Sequence, residues 1–387
     1  MLLVSLRALE QKTFRCSTYE FEDVIAGVDS VDVRCWQWED PNAGRRFRQR
    51  LARKWGRVYR NLDQPFIGAR MLRVEADYDL FFFVPVFAHD IAAMRRIKDW
   101  RRRCRTVACY LTETWTKDLQ RYRPYLEMLR DFDVVFVANP AAVDPIGRIT
   151  GRPCYYLPPA VDTLRFCPRP GHPARVIDCY SMGRRVAAVH RGLLDHARQE
   201  GCFYLYDSVR GWDVQDWREH RDLLAGVIQR SRFFIAYPIS GKDDIPLPRY
   251  FEAAAGGSVI LGRAAASEHF RSQFDWSDAV IEIPATGEGI GEILQWLEQQ
   301  PERLHQLRTN NIVQCLLRHD WLHRWKAILE VTGLEPLTAA GARLARLERM
   351  AASVSGVAGR SPEAAREPEP AGTSVTKLSE TSESKSI

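Results

Sequence analysis

Short apolar runs rich in β-branched and aromatic residues, most of them separated by stretches long enough for a helix, constrain this chain more than any other feature. The first set comprises residues 1–6, 31–36, 79–84, 106–111, 133–138 and 154–157. A second set begins at Val176 and continues through 202–206, 233–237, 258–261 and 279–283. Runs apolar on both faces belong to parallel strands covered by helices on either side, so the pattern predicts an α/β fold with two such sheets. At 387 residues the chain is long enough for two complete cores. It has no run of about 18 apolar residues, so no segment reads as a membrane span. The opening residues 1–6 read as a strand, too short for a signal-peptide core and soon followed by Arg7 and Glu10. Nine irregularly spaced cysteines without a Cys-x-x-Cys pair argue against a disulfide framework or zinc site, and predict reduced thiols in a cytoplasmic protein.

Within the second set, Pro248-Arg-Tyr-Phe-Glu252-Ala-Ala-Ala-Gly-Gly257-Ser-Val-Ile-Leu261 places one acid on a small-residue helix that stops at a glycine pair before a buried strand. Upstream, Val176-Ile-Asp-Cys-Tyr-Ser-Met-Gly183-Arg184-Arg185 runs from strand through a glycine turn toward a helix N-terminus, a natural anion site. Between the two sets, Pro158-Pro-Ala-Val161-Asp162 with Phe166 is a stiff strand-to-linker joint, because proline fixes φ and restricts its predecessor.

These three elements, in this order, resemble the nucleotide-sugar-dependent glycosyltransferases with two Rossmann-like domains, the GT-B type, in particular family 4 and the related spore-coat-like group. The resemblance covers roughly residues 75–330. It implies an amino-terminal acceptor-binding domain over 1–168, a carboxyl-terminal nucleotide-sugar-binding domain over 169–335, and sheets facing across a cleft. It further implies that Glu252 holds the donor ribose, that Gly183, Arg184 and Arg191 take the diphosphate, and that Gly257 belongs to the same donor motif. The family's second acid, eight residues before Glu252, is here Asp244, one methylene shorter, with Asp243 as its substitute. Asp244, Arg184 and His89 are the catalytic candidates. His89 follows the strand 79–84 at a carboxyl edge, where a surface or capping role suits it equally, and Glu113 and Trp115 occupy the next such edge. The implied reaction retains anomeric configuration and uses neither metal nor cofactor beyond the sugar nucleotide. A nucleotide-sugar 2-epimerase of the same fold and a non-enzymatic polyanion-binding protein are the alternative readings.

Two Asp-x-Asp triplets, Asp77-Tyr-Asp79 and Asp131-Phe-Asp133, precede their strands and therefore lie at the edge away from ligands, which speaks against a metal role. Charge is uneven. Residues 45–60 contain no acid and form a basic amphipathic pattern, and 95–105 is a second basic cluster. These patches point to an acceptor that is anionic or lipid-linked, or to an acidic membrane surface at which the protein sits peripherally. No nucleic-acid motif accompanies them. Residues 336–387 turn polar: 339–352 form a polar helix at most, and 353–387, poor in large apolar residues, read as a disordered tail. Removal of everything after Glu335 is expected to leave the fold intact.

Overall fold

A computed structural model describes residues 1–39, 66, 68–168, 174–183, 185–207, 214–238, 243 and 247–357. The basic stretch 45–60, Arg184, Asp244 and the tail beyond 357 lie outside the described residues.

The amino-terminal sheet contains β1 (Leu2–Ser5), β2 (Asp32–Cys35), β4 (Tyr78–Phe83), β6 (Cys104–Leu111), β7 (Val134–Val137) and β8 (Cys154–Tyr156). All six are parallel, in the order β2-β1-β4-β6-β7-β8. The register aligns Leu3, Phe82, Ala108 and Val134 in one row, which faces a single core. Phe81, Val107 and Val135, from the intervening positions, face the core on the other side. The apolar runs are continuous because both faces are covered. Two strands were not expected: β3 (Leu72–Arg73) and β5 (Ile97–Lys98), a two-residue parallel pairing outside the main sheet.

The second sheet is β9 (Ile177–Ser181), β10 (Tyr204–Tyr206), β11 (Ser231–Ala236), β12 (Val259–Gly262) and β13 (Ile281–Glu282), parallel in the order β10-β9-β11-β12-β13. Among the described residues the α-helices of two turns or more are α1 (Cys16–Val28), α2 (Leu119–Leu126), α3 (Val143–Thr150), α4 (Ala187–Glu200), α5 (Trp217–Gln229), α6 (Pro248–Ala255), α7 (Ile290–Glu298), α8 (Pro301–Arg318), α9 (Trp321–Thr332) and α10 (Thr338–Val357). The predicted α/β architecture of two Rossmann-like domains is the observed one, and all nine cysteines are free thiols.

The chain then returns to its start. Trp321, Trp325 and Leu329 of α9 are buried in one cluster with Phe21 and Phe82 of the amino-terminal domain, and Trp321 stacks on Phe21 at 4.5 Å. The expected polar tail is corrected here over its first part. Ser353 to Val357 continue α10, and that helix buries Ala340, Leu347 and Ala351 in the same cluster. Arg343 of α10 bonds Asp162 at 2.6 Å and Asp320 through Nε at 2.8 Å and Nη2 at 2.7 Å. Burial opposes ionisation of Asp320, but Arg343 and the Leu322 N–H outweigh it and hold the carboxyl below its ordinary range. Cutting after Glu335 would therefore leave a buried carboxylate without its cation.

Among the described residues no helix is long and apolar enough to cross a membrane.

Candidate functional site

Segments that follow β6, β7 and β11, at the carboxyl edges where open parallel sheets bind ligands, meet one another through Asp243. On the amino-terminal side, the segments after β4 and β6 enclose a pocket of about 160 Å³ lined by Phe87, Ala88, Glu113, Thr114, Trp115, Asp118, Leu119 and Tyr122. His89 lies beside it, one-third exposed (34%), stacked on Phe87 at 5.3 Å and 6.2 Å from Tyr122. Its neighbour Asp90 is buried and turned away from the pocket. It pairs both oxygens with Arg15 at 2.7 and 2.8 Å, and accepts the Val86 and Phe87 N–H groups at 3.0 Å. Asp90 thus fixes the loop that carries His89. Glu113 accepts the Trp115 indole N–H at 3.1 Å, which orients the aromatic wall.

Asp243, following β11, reaches across to this edge. It accepts from the Thr116 N–H at 2.8 Å, the Thr116 hydroxyl at 2.6 Å and Asn139 Nδ2 at 2.5 Å. The carboxylate named as the substitute for Asp244 is an interdomain contact in this structure.

On the carboxyl-terminal side, Gly183 ends β9 with φ 73°, a conformation that only glycine adopts without strain. Its N–H was expected to be free for an anion and is not: it donates to Asp207, to the backbone oxygen at 3.2 Å and to Oδ1 at 3.1 Å. Tyr180 holds the other Asp207 oxygen at 2.6 Å. Two arginines not singled out from the sequence stand around this turn. Arg185 donates to the Asp207 carbonyl at 2.8 Å and lies 4.9 Å over Tyr206. Arg249, in the first turn of α6, reaches the Met182 carbonyl at 3.5 Å, next to Gly183. Arg191 is exposed on α4.

Glu252 is 2% exposed in the middle of α6. Oε1 accepts from Arg221 of α5, and Oε2 is buried without a hydrogen-bond partner. Gly257 is placed elsewhere: with φ 69° it joins α6 to the amino-terminal edge of β12, opposite the ligand edge. A Cβ there would meet Ile312 at 2.7 Å and Arg175 at 2.8 Å, so packing alone requires a glycine here.

The Asp-x-Asp carboxylates are engaged at the far edge of the amino-terminal sheet. Asp77 pairs with Arg103 at 3.0 Å, Asp79 with Arg105 at 3.6 Å and Asp133 with Arg101 at 2.7 Å. The same pairs partly neutralise the second basic cluster, which lies away from the pocket. Among the described residues no group of three His, Cys, Asp or Glu side chains is arranged for a metal ion.

The fold is that of the two-Rossmann-domain, GT-B class. Residues 184–330, less than half of the chain, match a family model described as glycosyl transferase-like. An alpha-glucosyltransferase solved with UDP-glucose and DNA containing an abasic site is similar in structure at TM-score 0.50 and 10% identity, over 86% of this chain and 98% of that one. WaaG, a glycosyltransferase involved in lipopolysaccharide biosynthesis, gives 0.43 and 13% over 86% and 99%. TarM gives 0.43 and 9% over 65% of this chain and 54% of its own, so the match spans about half of that protein. At these identities the likeness is one of fold. No curated protein sequence matches the chain.

Proposed function

We propose that the protein transfers a sugar from a nucleotide-diphosphate sugar, held in the carboxyl-terminal domain, to an acceptor hydroxyl in the pocket of the amino-terminal domain. The observation that carries this reading is the Glu252 carboxylate: buried within the family match, fixed through one oxygen, and lacking a donor on the other. A ribose hydroxyl supplies such a donor. The turn at Gly183 with Arg185 and Arg249 supplies cations for the diphosphate, joined by Arg184, so charge on the leaving group is neutralised without a metal ion. In the retaining reaction the bond from the anomeric carbon to the diphosphate oxygen breaks. The acceptor oxygen bonds the same face, and its proton passes to the departing diphosphate.

Two acids and three aromatic faces line the acceptor pocket, with no Lys or Arg among its lining residues. That chemistry suits a neutral sugar-like hydroxyl compound better than an anionic one, with His89 placed beside the reacting group. The acidic-membrane reading rests on residues 45–60 and on the partly neutralised cluster 95–105.

The test is release of nucleoside diphosphate from a panel of sugar nucleotides, with and without simple glycoside acceptors. Acceptor-dependent release that persists in chelator, with a product of unchanged anomeric configuration by NMR, is expected. Donor epimerisation without transfer establishes the epimerase reading instead.

A further inference from the structure

We infer that Arg221 is a positioning residue of the donor site, one that sets the Glu252 carboxylate and ties it, through Glu20, to the amino-terminal domain. The inference rests on the ribose reading of Glu252. Arg221 is 2% exposed, and all three of its guanidinium nitrogens are used. Nε and Nη2 grip Glu20 of α1 at 2.7 and 3.0 Å, and Nη1 bonds Glu252. The plane of the group is fixed by Phe166, 4.7 Å away. Glu20 is itself held by the Trp321 indole N–H of α9 at 3.1 Å and by the Asp162 N–H of the linker at 2.8 Å. A rigid path of charge-assisted bonds therefore runs from α1 and the linker to the carboxylate of α6.

A purely structural staple would satisfy each of its oxygens, since a buried ion pair gains nothing over apolar packing unless its lone pairs are used. This one does not. One cation stands between two carboxylates; Arg165 approaches Glu20 only to 3.7 Å and is hydrogen-bonded to Asp222 at 2.5 Å. The unpaired oxygen of the set is Oε2 of Glu252, the member read here as the ribose ligand. That is the arrangement expected where a ligand hydroxyl completes the set. Because Glu20 belongs to the other domain, ribose recognition in this scheme depends on contact between the domains.

The experiment compares affinities by calorimetry for uridine, guanosine, adenosine and cytidine diphosphates, then for the tightest binder's 2′,3′-dideoxy analogue. The proteins are wild type, Glu252→Ala, Arg221→Lys and Glu20→Gln. Lysine keeps the charge but not the fork that spans two carboxylates, and glutamine keeps the shape of Glu20 without its charge. Wild type is expected to prefer the ribonucleotide by roughly tenfold or more, as hydrogen bonds to a charged group imply. In Arg221→Lys and Glu20→Gln that preference should fall toward unity while dideoxy affinity stays within about threefold, a split that loss of general stability does not produce. No ribose preference in wild type refutes the reading of Glu252. A preference lost in Glu252→Ala but intact in folded Arg221→Lys and Glu20→Gln refutes the role of Arg221. Failure of both triad variants to fold makes the triad a staple and likewise overturns the proposal.

Discussion

His319 makes stability fall on mild acidification, and the structure gives the size. The ring is 1% exposed at the junction of α8 and α9. Nε2 donates to the Gln273 carbonyl at 2.7 Å, while Arg324 donates to Nδ1 at 3.2 Å. Both nitrogens are engaged in the neutral form, and a proton on Nδ1 would face a guanidinium. Burial first, and then Arg324, push the imidazole far below its ordinary value near 6.5. In the unfolded chain the same ring takes up a proton near that value, so the unfolded state binds more protons at lower pH. Stability is therefore unaffected above about pH 6.5 and declines below it by about 1.4 kcal/mol per pH unit until the folded-state value is reached. His220 and His323 are shifted the same way, by burial first, and steepen the slope. Guanidinium unfolding of wild type and His319→Gln at pH 7.5 and 5.5 separates the contribution. The variant should be less stable at pH 7.5 but lose about 1.4 kcal/mol less between the two pH values. Identical losses in both proteins would mean that the ring is not held neutral.

Arg343→Met should cost about 3–5 kcal/mol, because it strips the cation from fully buried Asp320; calorimetry that finds Tm within a degree or two of wild type would remove α10 from the fold's essential parts. Gly257→Ala should destabilise by about 1–3 kcal/mol through its positive φ, with the Ile312 contact adding to it, yet leave nucleotide affinity unchanged; weaker nucleotide binding in a folded variant would return Gly257 to the donor site. Glu252→Ala should weaken nucleoside diphosphate binding by about 1.5–3 kcal/mol, and unchanged affinity in calorimetry would end the ribose assignment. Asp243→Ala should widen the distribution of domain arrangements, seen as a larger radius of gyration in solution scattering, and an unchanged radius would show that the Thr116 and Asn139 contacts do not hold the domains.

How much was legible in the sequence depended on whether burial was two-sided and local. The strands of both main sheets were, because a parallel strand buried on both faces leaves a continuous apolar run such as Leu80-Phe-Phe-Phe83. The β3–β5 pairing was not, since two residues per strand carry no period. The helix α10 was undervalued because its buried face is built partly from Ala340 and Ala351, small residues that add little to a count of large apolar side chains, and because Arg343 finds Asp162 181 residues away. Glu252 was recognisable from its motif, whereas its partners Arg221 and Glu20 stand on helices with no motif of their own, and Glu20 is 201 residues from Arg221 in sequence. Gly257 carried the motif's appearance with a different cause: the backbone must turn at positive φ where Ile312 and Arg175 crowd it.

The two ways in which the domains are joined differ physically, and the difference bears on turnover. Along one side, α9 and α10 are sealed to the amino-terminal sheet by Trp321, Trp325, Leu329 and Leu347, an apolar core that does not open without large exposure of surface. Along the cleft, contact is polar and apolar together. Among the described residues, Asp243 meets Thr116 and Asn139, Glu20 meets Arg221, and Asp23 pairs with Arg218, beside an apolar cluster of Cys16, Tyr19 and Trp217 and the burial of Trp115 in the cluster that holds Leu247 and Tyr250. The exposed bonds among these exchange for water at little net cost, whereas the buried Arg221–Glu20 pair does not, so motion between the domains is resisted chiefly at that pair. On the proposed reading, a donor whose ribose reaches buried Glu252 would enter by motion about the apolar seam, and Asp243 and Glu20 would couple donor binding to closure.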